Sequence, residues 1–435
     1  MATPLRLPCG VVIPNRLAKG AMTEGLATPG GVPTPELDRL YRLWSHGGAG
    51  LLLTGNVILD RDHLERPGNV ILDRPPSPEM AAALRAWAAA GTEGGNQLWM
   101  QLSHAGRQTQ RNVNPAPRAP SAVAMRLPGG RFATPVPLAE TEIRDLIDRV
   151  ATAAVAAQTA GFTGVQVHAA HGYLISQFLS PLTNRRTDAW GGSLENRARF
   201  LMEAVRRVRA AVGPAFPVSV KLNSADFQRG GFAFEDSLRV ARWLEAAGVD
   251  LLEISGGSYE QPAMMDMAGI DGPADAASAG PVRLAASTAA REAYFVDFAK
   301  AMKAELSTMP LMVTGGFRTR AAMEHALATG AADLIGLGRP LCGMPDACNR
   351  LLAGAADLPR YERQLHLLPG WLRWLEANGT VRSLAGFAVQ YWYYAQLDHL
   401  GRTGAPRLSQ GVFAAALQVE KHHARWLAAR RAGQA

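Results

Sequence analysis

One local plan recurs along this chain and limits what it can fold into: a glycine, a short turn, then an apolar run that reads as a buried strand. It occurs as Gly-Gly-Ala-Gly-Leu-Leu-Leu at 47–53 and Ala-Gly-Phe-Thr-Gly-Val-Gln-Val at 160–167. It returns as Ala-Gly-Val-Asp-Leu-Leu-Glu-Ile at 247–254 and Thr-Gly-Ala-Ala-Asp-Leu-Ile at 329–335. A glycine of this kind suits a helix C-cap, so each copy marks a helix ending and a strand beginning. Between copies the apolar period alternates between two and 3.6. The predicted strands are 17–22, 50–58, 97–102, 163–168, 217–222, 249–254, 310–314 and 332–337. Helices are expected near 35–46, 77–90, 140–160, 193–212, 233–247, 288–305, 318–329 and 344–353. Ile143, Leu146, Ile147, Val150 and Ala154 make one helical stripe; Leu194, Ala198, Leu201, Val205, Val208 and Val212 make another.

Eight β–α units within about 340 residues predict a (β/α)8 TIM barrel, here over residues 1–355. A doubly wound open sheet is the rival, but no GxGxxG follows the first strand. Long segments at 104–139, 169–192 and 255–287 follow strands, where barrel enzymes build their sites. Beyond residue 355 the rhythm stops. Residues 361–435 hold ten of the 30 aromatics, with Leu384, Phe387, Tyr391 and Ala395 at helical spacing. Residues 356–435 are therefore read as a helical extension that packs on the barrel or at a subunit interface; a lid is the sharper alternative.

Composition narrows the class. Apolar residues are 48% of the chain and charged residues 19%, the balance of a globular protein. No segment offers the roughly 18 uninterrupted apolar residues of a membrane span, and no apolar run follows a basic patch at the start, so a cytoplasmic location is expected. Cys9, Cys342 and Cys348 make no CxxC pair for zinc or iron–sulfur. The net charge of +8 is spread without a basic run, which argues against a nucleic-acid partner.

The chemistry concentrates at predicted strand ends. Val218-Ser-Val-Lys-Leu-Asn223 alternates, putting Val218, Val220 and Leu222 outward and Ser219, Lys221 and Asn223 inward. An inward cation needs an anion: either a structural ion pair or a bound electron-rich group. His168-Ala-Ala-His171-Gly-Tyr173 places two imidazoles and a phenol beside one volume. Two imidazoles donating to one carbonyl oxygen, with a phenol as acid, suit a polarised reduction; a metal pair lacks a third ligand, and satisfied core histidines are the bland alternative. Thr23 and Gln101 suit the edge of a flat heterocycle. Gly315-Gly316 and Gly338-Arg339, after the seventh and eighth strands, suit a phosphate.

Taken in order, these stretches resemble the old yellow enzyme family of FMN-dependent oxidoreductases over roughly residues 5–350. The most specific are His168 through Asp188 with the following Trp-Gly-Gly-Ser-Leu-Glu-Asn-Arg, Gln101 through Arg107, and Asn15-Arg16. The resemblance implies FMN, reduced by NADH or NADPH and reoxidised in a ping-pong cycle by an activated alkene such as an α,β-unsaturated carbonyl. It implies that Ala21, Met22, Thr23, Asn56, Gln101 and His168 line the isoalloxazine. Lys221 would lie by its N1/O2 edge, and Gly315, Gly316, Gly338 and Arg339 by the phosphate. His168 and His171 would hold the substrate carbonyl, with Tyr173 as proton donor. Many relatives have Arg at Lys221, one subgroup has Cys at Thr23, and some place an aromatic at Gly25. The iron–sulfur cysteines of longer members are absent, so FMN is expected to be the sole redox centre of a homo-oligomer. The alternatives are an NADH oxidase or a quinone or nitro-compound reductase on the same site. A tRNA dihydrouridine synthase would need a cysteine in the loop after the third strand, and none is there.

Overall fold

Eight parallel strands close into a barrel in the computed structural model, which describes residues 1–125, 127, 130–255 and 298–433. The strands are β1 (Leu17–Lys19), β2 (Leu51–Ile58), β3 (Gln97–Ser103), β4 (Gly164–Ala169), β5 (Val218–Asn223), β6 (Leu251–Ser255), β7 (Leu311–Thr314) and β8 (Leu334–Leu337). Each pairs with the next, and Ile335 opposite Leu17 joins β8 to β1. The helices between them are α1 (Pro35–Ser45), α2 (Pro78–Thr92), α3 (Glu140–Ala160), α4 (Leu194–Val212), α5 (Phe234–Ala246), α6 over 298–305, α7 (Arg320–Ala328) and α8 (Ala347–Leu352). The rest of the helix expected at 288–305, and the loop expected at 255–287 beyond Ser255, lie outside the described residues.

Local chemistry sets the helix ends. Ser77, Ser193 and Thr319 accept hydrogen bonds from the backbone N–H three residues on, at the starts of α2, α4 and α7. Gly161 ends α3 in the left-handed region at φ 96°. The two stripes read from sequence are buried, as are Val218, Val220 and Leu222 on the outward face of β5.

The barrel interior is divided by chemistry. Its lower part is apolar, with Ala18, Leu51, Leu53, Trp99, Leu251, Met312 and Leu334. A hairpin of Leu5–Arg6 with Val12–Ile13 plugs that end with Leu5, Leu7 and Ile13. One layer higher the inward residues are Gln101, Gln166, Lys221 and Glu253, all buried. The amide and charged side chains of this layer thus lie towards the C-terminal half, where the strand alternation places them, and below them the inward Ser219 is buried in register with Leu251.

Beyond α8 the chain forms α9 (Gly379–Thr403) and α10 (Val412–Ala432), which pack on the barrel of their own chain. Arg39 on α1 donates to the carbonyls of Gly401 and Arg402 at 2.6 and 2.9 Å. Trp426 Nε1 donates to Ala27 O at 2.9 Å, and Arg430 reaches Pro29 O and Arg61 O. The extension therefore covers the rim made by the segments after β1 and β2. Leu384, on the helical stripe read from sequence, is exposed, whereas Tyr391 and Ala395 are buried. Among the described residues no helix is long and apolar enough to cross a membrane.

Candidate active site

β4 ends in His168, and the chain then turns so that His171 doubles back beside it. His171 has φ 62°, a left-handed conformation that costs a non-glycine residue energy and is found where surroundings over-determine it. Its backbone N–H donates to Asn223 Oδ1 at 3.0 Å, which holds the turn against the end of β5. The imidazoles then form a directed chain. Asn56 Nδ2 donates to Thr23 Oγ1 at 3.3 Å, leaving Asn56 Oδ1 as acceptor for His168 Nδ1 at 2.9 Å. His168 Nε2 accepts from His171 Nδ1 at 3.1 Å, and His171 Nε2 accepts from the Ser255 hydroxyl at 2.6 Å. Both rings are neutral. Burial holds both well below the ordinary imidazole range, reinforced by Lys221 and, for His168, by His171. The buried Tyr173 ring stands 4.8 Å from that of His168.

Lys221 faces inward and has an anion. Its Nζ lies 2.8 Å from Oε1 of Glu253, directly opposite it on β6. Glu253 Oε2 accepts from Gln166 Nε2 at 2.9 Å, and Gln166 Oε1 accepts from Gln101 Nε2 at 2.8 Å. Of the two readings left open by the sequence, an ion pair is thus present. It does not take Lys221 away from the imidazoles, since Lys221 is in register with His168 on the adjacent strand.

The remaining sequence-selected residues fall on the same end of the barrel. Gly20 N–H donates to Leu337 O at 2.7 Å, tying the end of β1 to β8. Met22 then sits beside Gly338, with its Sδ 3.5 Å from Cys342 Sγ. Ala21 instead packs on the lower apolar cluster. Gly315 and Gly316 have φ 138° and 75°, conformations that a side chain would strain. Beside them Arg318 is buried, and burial together with Arg339 lowers its pKa while Glu362 opposes that shift. Two guanidiniums held near each other next to a glycine turn fit the phosphate of FMN. The three thiols are no nucleophiles: burial pushes Cys9 up to about 11 and Cys342 and Cys348 up to about 12.

Glu253, Gln166 and Ser255 were not singled out by sequence reasoning. A signal existed: Leu251-Leu252-Glu253-Ile254-Ser255 carries one charge inside an apolar strand, at the same inward parity as Lys221. Asp60, His63 and His104 also cluster after β2 and β3. His63 Nε2 accepts the Arg118 N–H at 2.8 Å, and His104 Nδ1 accepts the Gly106 N–H at 3.0 Å. The nitrogens facing Asp60 therefore carry protons, so this cluster holds a carboxylate rather than a cation.

The description of the NADH:flavin oxidoreductase / NADH oxidase family matches residues 3–357. The chain is 34% identical over 421 residues to the NADH-dependent flavin oxidoreductase iccE of Talaromyces variabilis, covering 93% of this chain and 99% of that protein. It is 38% identical over 352 residues to the NADH-dependent flavin oxidoreductase iliE of Neonectria sp. (strain DH2), covering 78% of this chain. It spans only 45% of that longer relative. The solved old yellow enzyme homologue from Zymomonas mobilis superposes with a TM-score of 0.66 at 26% identity, over 85% of this chain and 97% of that one.

Proposed function

The chain belongs to the NADH:flavin oxidoreductase / NADH oxidase family, and on that premise we propose that it reduces the C=C bond of activated alkenes such as α,β-unsaturated carbonyls. The observation that carries this reading is the imidazole pair, held neutral between Asn56 and Ser255 with a phenol against it. FMN is the family's cofactor, with NADH or NADPH as donor; when bound it takes hydride from the nicotinamide and returns it to the acceptor.

The chain's own residues supply the rest. His168 and His171 receive an acceptor oxygen and withdraw density from the conjugated system. To donate from Nε2, His168 must give up its Nδ1 proton; Ser103 Oγ, 3.2 Å from Nδ1, is placed to donate there instead. Tyr173 is the acid that protonates carbon. Lys221 offsets negative charge at the inner wall, and Glu253 moderates it. Thr23, Asn56 and Gln101 line the mouth, while Gly315, Gly316, Gly338 and Arg339 hold the phosphate end.

Tyr173→Phe tests this reading by stopped flow. The alkene half-reaction should slow by roughly 10²–10⁴ relative to reduction by the nicotinamide, the usual worth of a positioned acid. Equal loss in both half-reactions refutes the proton-donor role. The family also includes NADH oxidases, and a quinone or oxygen needs no proton on carbon. Such an acceptor would be nearly insensitive to the same change.

A further inference from the structure

Arg66, in the segment after β2, is 4% exposed, yet it has no ion pair among the described residues. Its guanidinium lies 3.6 Å from the ring centroid of Tyr394 on α9, and its Nε and Nη1 are enclosed without a hydrogen-bond acceptor. The guanidinium also lies against Gly25, where an added Cβ would collide with it. The missing side chain at Gly25 thus makes room for a cation.

Among the described residues no carboxylate pairs with it. His422 and His423 from α10 lie within its field, and His423 is pushed down to about 2 by burial and then by Arg66. Arg131 is nearby, but it is paired with Glu420 at 2.5 Å. Glu65 is the acidic neighbour, acting on Tyr394, and makes no ion pair with Arg66. Two other buried arginines are met by acids, Arg197 by Asp236 and Arg318 by Glu362. A guanidinium withdrawn from water without an acceptor is unfavourable, and one aromatic face offsets this only in part.

Position gives the cation a use. The Arg66 N–H donates to Asn69 Oδ1 at 2.9 Å, and Asn69 Nδ2 donates to Asn56 O at 3.4 Å. Asn56 is the residue that orients His168. Gly25 follows Thr23 by two residues at the same rim. We propose that Arg66 is an anion subsite at the barrel mouth, receiving a carboxylate or phosphate oxygen of a ligand whose reacting end lies at His168 and His171. This rests on the reading of that mouth as the reductase site. The favoured ligand is an unsaturated carbonyl compound bearing a carboxylate remote from its double bond; the phosphate of NADPH has the same chemistry.

Calorimetric titration of the FMN-loaded enzyme tests it without turnover. The probes are an aryl enone with a para-carboxylate, its carboxamide, NADP⁺ and NAD⁺. Wild type should bind the carboxylate about tenfold or more tighter than the carboxamide, the worth of a charge-assisted hydrogen bond. Arg66→Met should erase that ratio and Arg66→Lys should recover part of it. Collapse of the NADP⁺ to NAD⁺ ratio instead supports the subsite and assigns its anion to the donor. If Arg66 only staples α9 through Tyr394, all four affinities shift alike or not at all, and that result overturns the proposal. Enone reduction is measured separately: its absence with the binding ratio intact would refute the reductase reading and leave the subsite standing.

Discussion

Replacing Glu253 with Gln removes one charge from the inner wall while nearly preserving shape. Gln166 Nε2 can still donate to a side-chain oxygen at that position, so the chain through Gln101 survives. What changes is Lys221, whose Nζ loses the carboxylate 2.8 Å away in a buried layer. A unit charge at 4–7 Å and an effective dielectric near 20 is worth roughly 2–4 kcal/mol. At about 1.4 kcal/mol per 30 mV for a two-electron couple, the potential of bound FMN should rise by roughly 50–90 mV, because reduction adds negative charge. Reductive titration against reference dyes measures it. A potential unchanged or lowered in a variant with full FMN content would refute the idea that this pair tunes the cofactor. The apoprotein carries a second readout. Breaking a buried pair while keeping one partner costs about 3–5 kcal/mol, so Glu253→Gln should lower the unfolding midpoint. Adding Lys221→Met should restore much of it.

Acid should destabilise the fold before carboxylates titrate. Burial lowers His104 from 6.5 to about 4, so as pH falls the unfolded chain binds its proton first. Stability is therefore full above about 6.5 and lost towards 4, by about 3 kcal/mol for this residue. Burial acts in the same direction on His168 and His171. Urea midpoints at pH 7.5 and 4.5 report it, and equal midpoints would contradict the neutral assignment. Trp426→Ala removes a buried indole and its bond to Ala27 O, and should cost about 3–5 kcal/mol by denaturant titration. A cost below about 1 kcal/mol would mean that the extension adds little to the barrel's stability.

Much of the architecture could be read from residue order, because barrel signals are local. A glycine after a helix, a two-residue alternation in a strand and a 3.6-residue stripe in a helix are each written within a dozen residues. That is why the eight strands and the inward parity of Lys221 follow from sequence, and why His168, His171 and Tyr173, within six residues, stand out together. Pairings between distant strands are not local. Lys221 opposite Glu253, His171 against Ser255 and Asn56 against His168 depend on register and on one left-handed turn at His171. Sequence left Lys221 open to either a protein anion or a bound group, since nothing near it states what the neighbouring strand presents. Arg66 is the extreme case: its burial is produced by Gly25, Tyr394 and α10, which are brought together only when the extension closes over the rim. The chain by itself determined the barrel and the groups at its mouth. Only the folded packing decided which charges are neutralised there, because a charge's partner is a matter of distance in space rather than along the chain.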